Sequence, residues 1–450
     1  MVYTAVDLVE VRIWGRRVGA IAGIGAGAVR GAYAFEYDPA WIVSGLDLAP
    51  VLMPRARRTY VFPDLSPETF QGLPPMIADS LPDKFGNAIV TSWLTREGVS
   101  PAQITGLDRL AYLGARGLGA LEFIPDRAPA HPRPTALDLS QLVTAARSAV
   151  HGSLATEAES EIALRRIIEV GTSAGGARAK AIVNVNTETG ELRSGQLLPE
   201  PGFESWLLKF DGIGVDRDLG ATADYGRIEF AYSLMAQAAG ITVPETRLLH
   251  ENGRAHFMTR RFDRAADGSK VHLQTLCAMD GLDFNQIGVH DYAQYLRRVV
   301  ELGLGTEALV EAFRRMAFNV ATSNCDDHTK NFSFLMEPSG QWSLAPAYDL
   351  TYAHSPTSQW TSQHLMSVNG KFSDIARSDL LAVADRFEVP GAVGVIDAVV
   401  EAAAEWQTFA TAADLPTSAT ERIAADFPLD ALRRRRTRAK GAQRADRLGG

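Results

Sequence analysis

The stretch Asn324-Cys325-Asp326-Asp327-His328-Thr329-Lys330-Asn331-Phe332-Ser333 is the richest polar cluster in the chain. Leu309, Phe313, Met316 and Val320 precede it at spacings of four, three and four, the signature of a helix with one apolar face. Phe332 to Met336 reads as a strand, Pro338-Ser339-Gly340 as a turn and Trp342-Ser343-Leu344 as the return strand, leading to Ala347-Tyr348-Asp349. Asn331 lies five residues after Asp326, and Asp349 lies 23 after it, at the end of the hairpin. Protein kinases space a catalytic Asp, an Asn and a metal-binding Asp in this way. One carboxylate orients the attacking hydroxyl, while the amide oxygen and second carboxylate are hard ligands suited to magnesium.

Working outward, such a site needs a lysine on the third strand of a small sheet and a glutamate on the helix after it. Ala181 to Val185 reads as a first strand, Thr187 to Gly190 as a turn and Glu191 to Ser194 as a return strand. Trp206-Leu207-Leu208-Lys209-Phe210 is the third, with Lys209 its only charge. Arg227 to Ala239 reads as a helix stopped by Gly240, and Glu229 falls in its first turn, where an acid also suits the helix dipole. A fourth strand runs from Val243 through His250, and Asn252-Gly253 turns it into a fifth, His256 to Arg260.

Gly171 to Lys180 stands just before the first strand. It is neither G-x-G-x-x-G nor a Walker A loop, yet Ala174, Gly175, Gly176 and Ala177 are small enough for backbone N–H groups to approach an anion, and Ala179 follows in the same run. Arg178 and Lys180 add positive charge. Arg260-Arg261-Phe262-Asp263-Arg264 closes the fifth strand where a hinge belongs; its apolar and backbone groups could hold an adenine, and a solvated charged turn is the equal alternative. Cys325 reads as a packed side chain, since no base is arranged for thiol chemistry, and His250, His256 and His272 as structural. Trp14, Trp41 and Phe35 read as core of the first segment.

The chain has 450 residues, a net charge of −8 and two cysteines, Cys277 and Cys325, so a disulfide framework is excluded and a cytoplasmic location expected. Its longest uncharged apolar stretch, Val18 to Val29, is too short for a membrane span of ~20 residues, and no leader pattern opens the chain. From Arg433 to Gly450 the charge is +7, leaving −15 elsewhere. A whole-molecule nucleic-acid binder has the opposite balance, although the basic tail alone could touch phosphate. Trp14-Gly15 reads as a hairpin turn, and the Pro-rich bridge from Pro125 to Pro134 as a boundary, with helical patterns beyond it to Val150 and from Glu159 to Val170. The expected fold is α+β: a two-lobed protein-kinase-like fold with a five-stranded N-lobe sheet, one helix and a mostly helical C-lobe. An N-terminal α/β subdomain precedes it. The expected units are 1–127, 128–282, 283–432 and a basic tail, 433–450.

These residues resemble the HipA family of serine/threonine kinase toxins. The resemblance spans nearly the whole chain. Early on it covers Trp14-Gly15 with Val18-Gly19, Phe35-Glu36-Tyr37, Leu81-Pro82-Asp83 and Leu113-Gly114 through Leu121. Later it covers Ser173 to Lys180, Leu208-Lys209-Phe210, Arg261-Phe262-Asp263-Arg264, Asp326-Asp327-His328 with Lys330 to Ser333, and Tyr348-Asp349. It implies ATP, magnesium and phosphorylation of Ser or Thr in a protein target such as an aminoacyl-tRNA synthetase, with growth arrest. It also implies a HipB-like helix-turn-helix antitoxin that binds operator DNA. Asp326 would be the base, Asn331 and Asp349 the metal ligands, and Lys209 the phosphate contact held by Glu229. Residues 174–180 would cover the phosphates, with His328 and Lys330 near the transferred group. Arg260, Arg261, Phe262 and Tyr348 complete the expected ATP site. Ser173 falls at an autophosphorylated serine, with Thr172 as a neighbouring hydroxyl; a phosphate there would repel an ATP phosphate.

Three other readings compete. A metal-dependent hydrolase would use Asp326, Asp327, His328 and Asp349 as ligands, but consecutive residues converge poorly on one ion. A catalytically silent corepressor would only bind its DNA-bound partner, and a small-molecule kinase would keep the chemistry and change the acceptor.

Overall fold

A computed structural model describes residues 4–24, 31–82, 84–127, 137, 139–140, 142–143, 179–195, 198–212, 224–265 and 267–434. Of the helical pattern expected from Leu137 to Val150 only 137, 139–140 and 142–143 are described; the pattern over 159–170, the loop residues Thr172, Ser173, Ala174, Gly175, Gly176, Ala177 and Arg178, and the tail beyond 434 lie outside the described residues.

The first unit is built on five strands, β1 Leu8–Ile13, β2 Arg16–Gly23, β3 Tyr33–Tyr37, β4 Thr59–Tyr60 and β5 Leu121–Ile124, in the order β4-β3-β2-β1-β5. Trp14 and Gly15 both take positive φ, 47° and 73°, so the β1–β2 turn is the mirror-image type whose twist suits a hairpin. Every pairing is antiparallel, which makes this unit α+β rather than α/β in layout. Its core holds Phe35 and Trp41, as expected, and extends to Cys277 and Met336 from the second half of the chain. Trp14, partly buried, packs against this core as expected and also reaches across, donating its Nε1–H to the Lys270 carbonyl at 2.7 Å.

The second sheet comprises β6 Lys180–Asn186, β7 Leu192–Ser194, β8 Phe203–Lys209, β9 Thr246–Glu251 and β10 Arg254–Arg260, in the order β7-β6-β8-β10-β9, all antiparallel. Between β8 and β9 the Tyr225–Ala238 helix buries Ile228, Ala231, Tyr232, Met235 and Ala236, one apolar face at helical spacing. It ends in a Schellman motif: Gly240 (φ 82°) donates to Gln237 and Ile241 to Ala236.

The rest is mainly helical. The Gly305–Ala321 helix buries Leu309, Phe313, Met316 and Val320 against the Ala392–Ala404 helix in the largest core. A short sheet of His272–Thr275, Ser333–Met336 and Trp342–Leu344 joins this part to the first unit. Among the described residues no helix is long and apolar enough to cross a membrane.

Candidate active site

Lys209 ends β8, opposite Phe257 of β10. The Tyr225–Ala238 helix approaches β10 so closely that a Cβ on Gly226 would sit 2.0 Å from the Ala255 carbonyl oxygen. Only glycine tolerates that approach, and the approach sets the distance between Glu229 and the sheet. Lys209 Nζ bonds to both Glu229 Oε1 and Asp349 Oδ1. Their side chains are 12%, 4% and 26% exposed, so residues far apart in sequence close one buried ion triad. The helix begins two residues before the expected start, which puts Glu229 beyond the first turn. The helix-dipole reading of this acid therefore fails, because that effect fades within one turn.

Burial alone would lower the pKa of the Lys209 ammonium, but Asp349 and Glu229 outweigh it and hold the value above that of an ordinary lysine. Burial would raise Asp349, yet Lys209 and Lys180 reverse this and hold its carboxyl at about 2. Asp349 sits at φ 53°, a left-handed conformation that aspartate tolerates better than most residues.

Asp326 and Asp327 point to different surroundings. Asp327 is fully buried and accepts from Tyr292 Oη at 2.7 Å, His364 Nδ1 at 2.8 Å and the Leu365 N–H at 2.7 Å. Asn319 donates to Tyr292 Oη at 2.9 Å, and Asn324 donates to Asn319 at 3.0 Å, so a buried polar network anchors the loop. Asp327 is thereby committed to structure, which removes it from any metal cage. Asp326 Oδ1 accepts from Trp360 Nε1 at 2.8 Å and lies 3.8 Å from His328 Nε2. Burial raises its carboxyl, opposed by His328 and the indole N–H, and aided by Asp349 and Asp327. Because 36% of the side chain stays exposed, solvent tempers that rise. Asn331 donates its Nδ2 to the Asp326 carbonyl at 2.8 Å, leaving its amide oxygen for another partner.

The cleft, about 1100 Å³ with its open mouth included, divides by chemistry. Leu207, Val243, Phe257, Phe262 and Tyr348 offer flat or branched apolar walls, with the Phe262 and Tyr348 rings 5.5 Å apart. Lys180, Lys209 and Lys330 supply cations, and Asn331 and Asp349 supply oxygen ligands, on the same lining. An apolar wall beside a cationic floor suits a nucleotide, ring on one and phosphates on the other. Asn331 and Asp349 present hard oxygen donors on this lining, a chemistry that would suit magnesium. Among the described residues no three His, Cys, Asp or Glu side chains gather as a metal cage.

Of the two readings of the Arg260 to Arg264 turn, the solvated one fails for Arg261, Asp263 and Arg264, whose side chains are buried, and holds only for the half-exposed Arg260. Asp263 is buried and pairs with Arg261 at 2.6 Å and Arg264 at 3.0 Å, while it accepts the Gly119 N–H at 2.8 Å. Both arginines also donate to the Gly117 carbonyl, at 3.3 and 3.2 Å. The turn is a clamp on the first unit, and Leu118, between those glycines, lines the cleft. Arg261 therefore reaches the lining with its guanidinium already committed, whereas Arg260 is half-exposed and pairs with Glu204 at 3.0 Å. Lys330 sits over the Phe284 ring at 4.8 Å, and His328 packs between Phe284 and Trp360.

Sequence reasoning missed Trp360, Asp79 and Leu118. Asp79 lines the cleft and holds Thr275 through its N–H at 2.7 Å and hydroxyl at 2.8 Å. Its only signal in the sequence is an acid directly after the apolar run Met76-Ile77-Ala78. Cys325 is buried and burial pushes its thiol well up, away from nucleophilic use. His256 accepts the Asp211 N–H at 2.8 Å, and His272 contacts the Leu48 carbonyl at 3.0 Å, both structural roles.

A small antiparallel sheet with a lysine–glutamate pair, set against a helical lobe with this loop and hairpin, defines a protein-kinase-like fold. Residues 9–124 match the HipA N-terminal domain, and residues 172–427 match the HipA-like C-terminal domain. The chain belongs to the HipA family. Among solved structures it is similar to a chain of the Shewanella oneidensis MR-1 toxin–antitoxin complex of HipA, HipB and operator DNA. That overlay has a TM-score of 0.62 and 17% identity, covering 94% of this chain and 95% of that one. The Helicobacter pylori proinflammatory kinase CtkA overlays with a TM-score of 0.33 and 12% identity, over 51% of this chain and 89% of that one.

Proposed function

We propose that this chain is a toxin-type protein kinase that transfers the γ-phosphate of ATP to a serine or threonine of a protein. The observation that carries the reading is the buried triad of Lys209, Glu229 and Asp349, which shares one cleft with Asn331. In this reading Lys209, held by Glu229, meets the phosphates, and residues 174–180 cover them. Asn331 and Asp349 hold magnesium, which when bound offsets charge on the phosphates. Arg260, Phe262 and Tyr348 face the adenine side, with Arg261 fixed behind them; His328 and Lys330 flank the transferred group. Asp326 takes the proton of the acceptor hydroxyl as the new oxygen–phosphorus bond forms and the bond to the departing diphosphate breaks.

The remaining assignments go with it. The working units are 1–127, 128–282, 283–432 and the tail 433–450, in the cytoplasm. A HipB-like antitoxin restrains the kinase and carries it to operator DNA, as the complex of the Shewanella protein suggests, and a translation component such as an aminoacyl-tRNA synthetase is the target. Phosphate on Ser173, or on Thr172 beside it, switches the enzyme off. The test is calorimetric titration of ATP with magnesium into the full chain. Binding that weakens by about 100-fold in Lys209→Met supports the phosphate site. Equal affinity for the variant would refute it.

A further inference from the structure

We propose that Trp360 is a positioning residue for Asp326, tying one carboxylate oxygen so that the other faces the acceptor; this rests on Asp326 acting as the base. The indole Nε1–H donates to Asp326 Oδ1 at 2.8 Å, and His328 Nε2 faces that same oxygen from 3.8 Å. Among the described residues Oδ2 has no such partner. On the main chain, Asn331 holds the Asp326 carbonyl, so backbone and side chain are fixed by different residues.

The indole is presented by a tight knot of chain. The buried Ser358 hydroxyl accepts the N–H groups of Trp360 and Thr361, each at 3.1 Å. Ser355 donates to the Thr361 carbonyl at 3.2 Å, Ser358 to Ser355 at 3.0 Å and Ser362 to Ser358 at 3.2 Å. Phe284, His328 and Trp360 stand in a row, with ring centres 5.3 and 6.4 Å apart. Just beyond Trp360, His364 and Leu365 fasten Asp327. Residues 355–365 thus hold both carboxylates of the Asp326-Asp327 pair, the inner one by two donors and the outer one by the indole alone. A base held by one donor on one oxygen is oriented yet keeps a free lone pair for the incoming proton, which is what general base catalysis needs.

Trp360→Phe keeps the aromatic body and removes the donor. The measurement is steady-state turnover of magnesium-ATP by the purified full chain, counting phosphate released to water together with phosphate retained on the protein. The variant should lose about tenfold in kcat, with KM for ATP unchanged within about twofold. Added to Asp326→Asn, it should cost nothing further, because it acts only through that carboxylate. A variant that turns over like wild type, or whose loss repeats undiminished in Asp326→Asn, overturns the inference and leaves the base assigned. Wild-type turnover no faster than that of Asp326→Asn overturns the base itself, and the role of Trp360 with it.

Discussion

At the scale of the residue, the site is governed by Lys209, whose ammonium is shared between two carboxylates. Removing it leaves Glu229 buried without its cation, a costly state. Lys209→Met should therefore reduce phosphoryl transfer by about 100-fold or more, while Glu229→Gln, which keeps the shape and a hydrogen bond, should lose less. Labelled phosphate incorporated from ATP measures both. Asp349 gives a pH signature. Its folded pKa of about 2 lies below the unfolded value of about 3.9, so it contributes stability that is present above pH ~4 and lost as pH falls through ~2. Between pH 5 and pH 2 the thermal midpoint of Asp349→Asn should fall less than that of wild type. Parallel curves would show that the carboxylate is not held down.

At the scale of the element, two close approaches position the chemistry. Gly226 lets the Tyr225–Ala238 helix lie against β10, and Gly226→Ala must push it away from the Ala255 carbonyl. Activity should fall with Glu229 displaced, and stability should fall by about 1–3 kcal/mol, as for an overpacked core; urea unfolding and ATP turnover measure the two. The Arg261-Asp263-Arg264 clamp predicts a larger effect. Asp263→Ala strands two buried guanidinium groups and should cost about 3–5 kcal/mol in the same unfolding experiment.

These elements also mark how far the sequence can be read. The five strands around β8 and the 309–320 helix were legible because alternation and helical spacing are local patterns. The sequence leaves the Arg260–Arg264 turn open between a hinge and a solvated turn, because Gly117 and Gly119, which make it a buried contact, lie 144 residues from Arg261 and Asp263. Glu229 lies two residues further into the helix than its sequence suggests, because Asp224 caps the helix without a side-chain bond and leaves its start unmarked. Trp360 reaches Asp326 across 34 residues and a loop with no periodicity, so no spacing announces it.

At the scale of the whole molecule, the first unit is part of the site. Asp79 and Leu118 line the cleft, Cys277 and Met336 pack into the first core, and Lys270 bonds to the Ala115 carbonyl at 2.6 Å and Glu122 at 2.7 Å. The full chain should therefore unfold across this junction in one cooperative transition. A chain starting at residue 128 should be less stable and bind ATP more weakly; equal affinity would show that the first unit does not shape the cleft. The most direct test of the central claim is a comparison of phosphoproteomes from cells expressing wild-type protein or Asp326→Asn, with Ser173 and Thr172 mapped on the recovered chains. New phosphoserine or phosphothreonine sites in the wild type alone are the predicted result. Identical phosphoproteomes, with growth arrested in both, would contradict it.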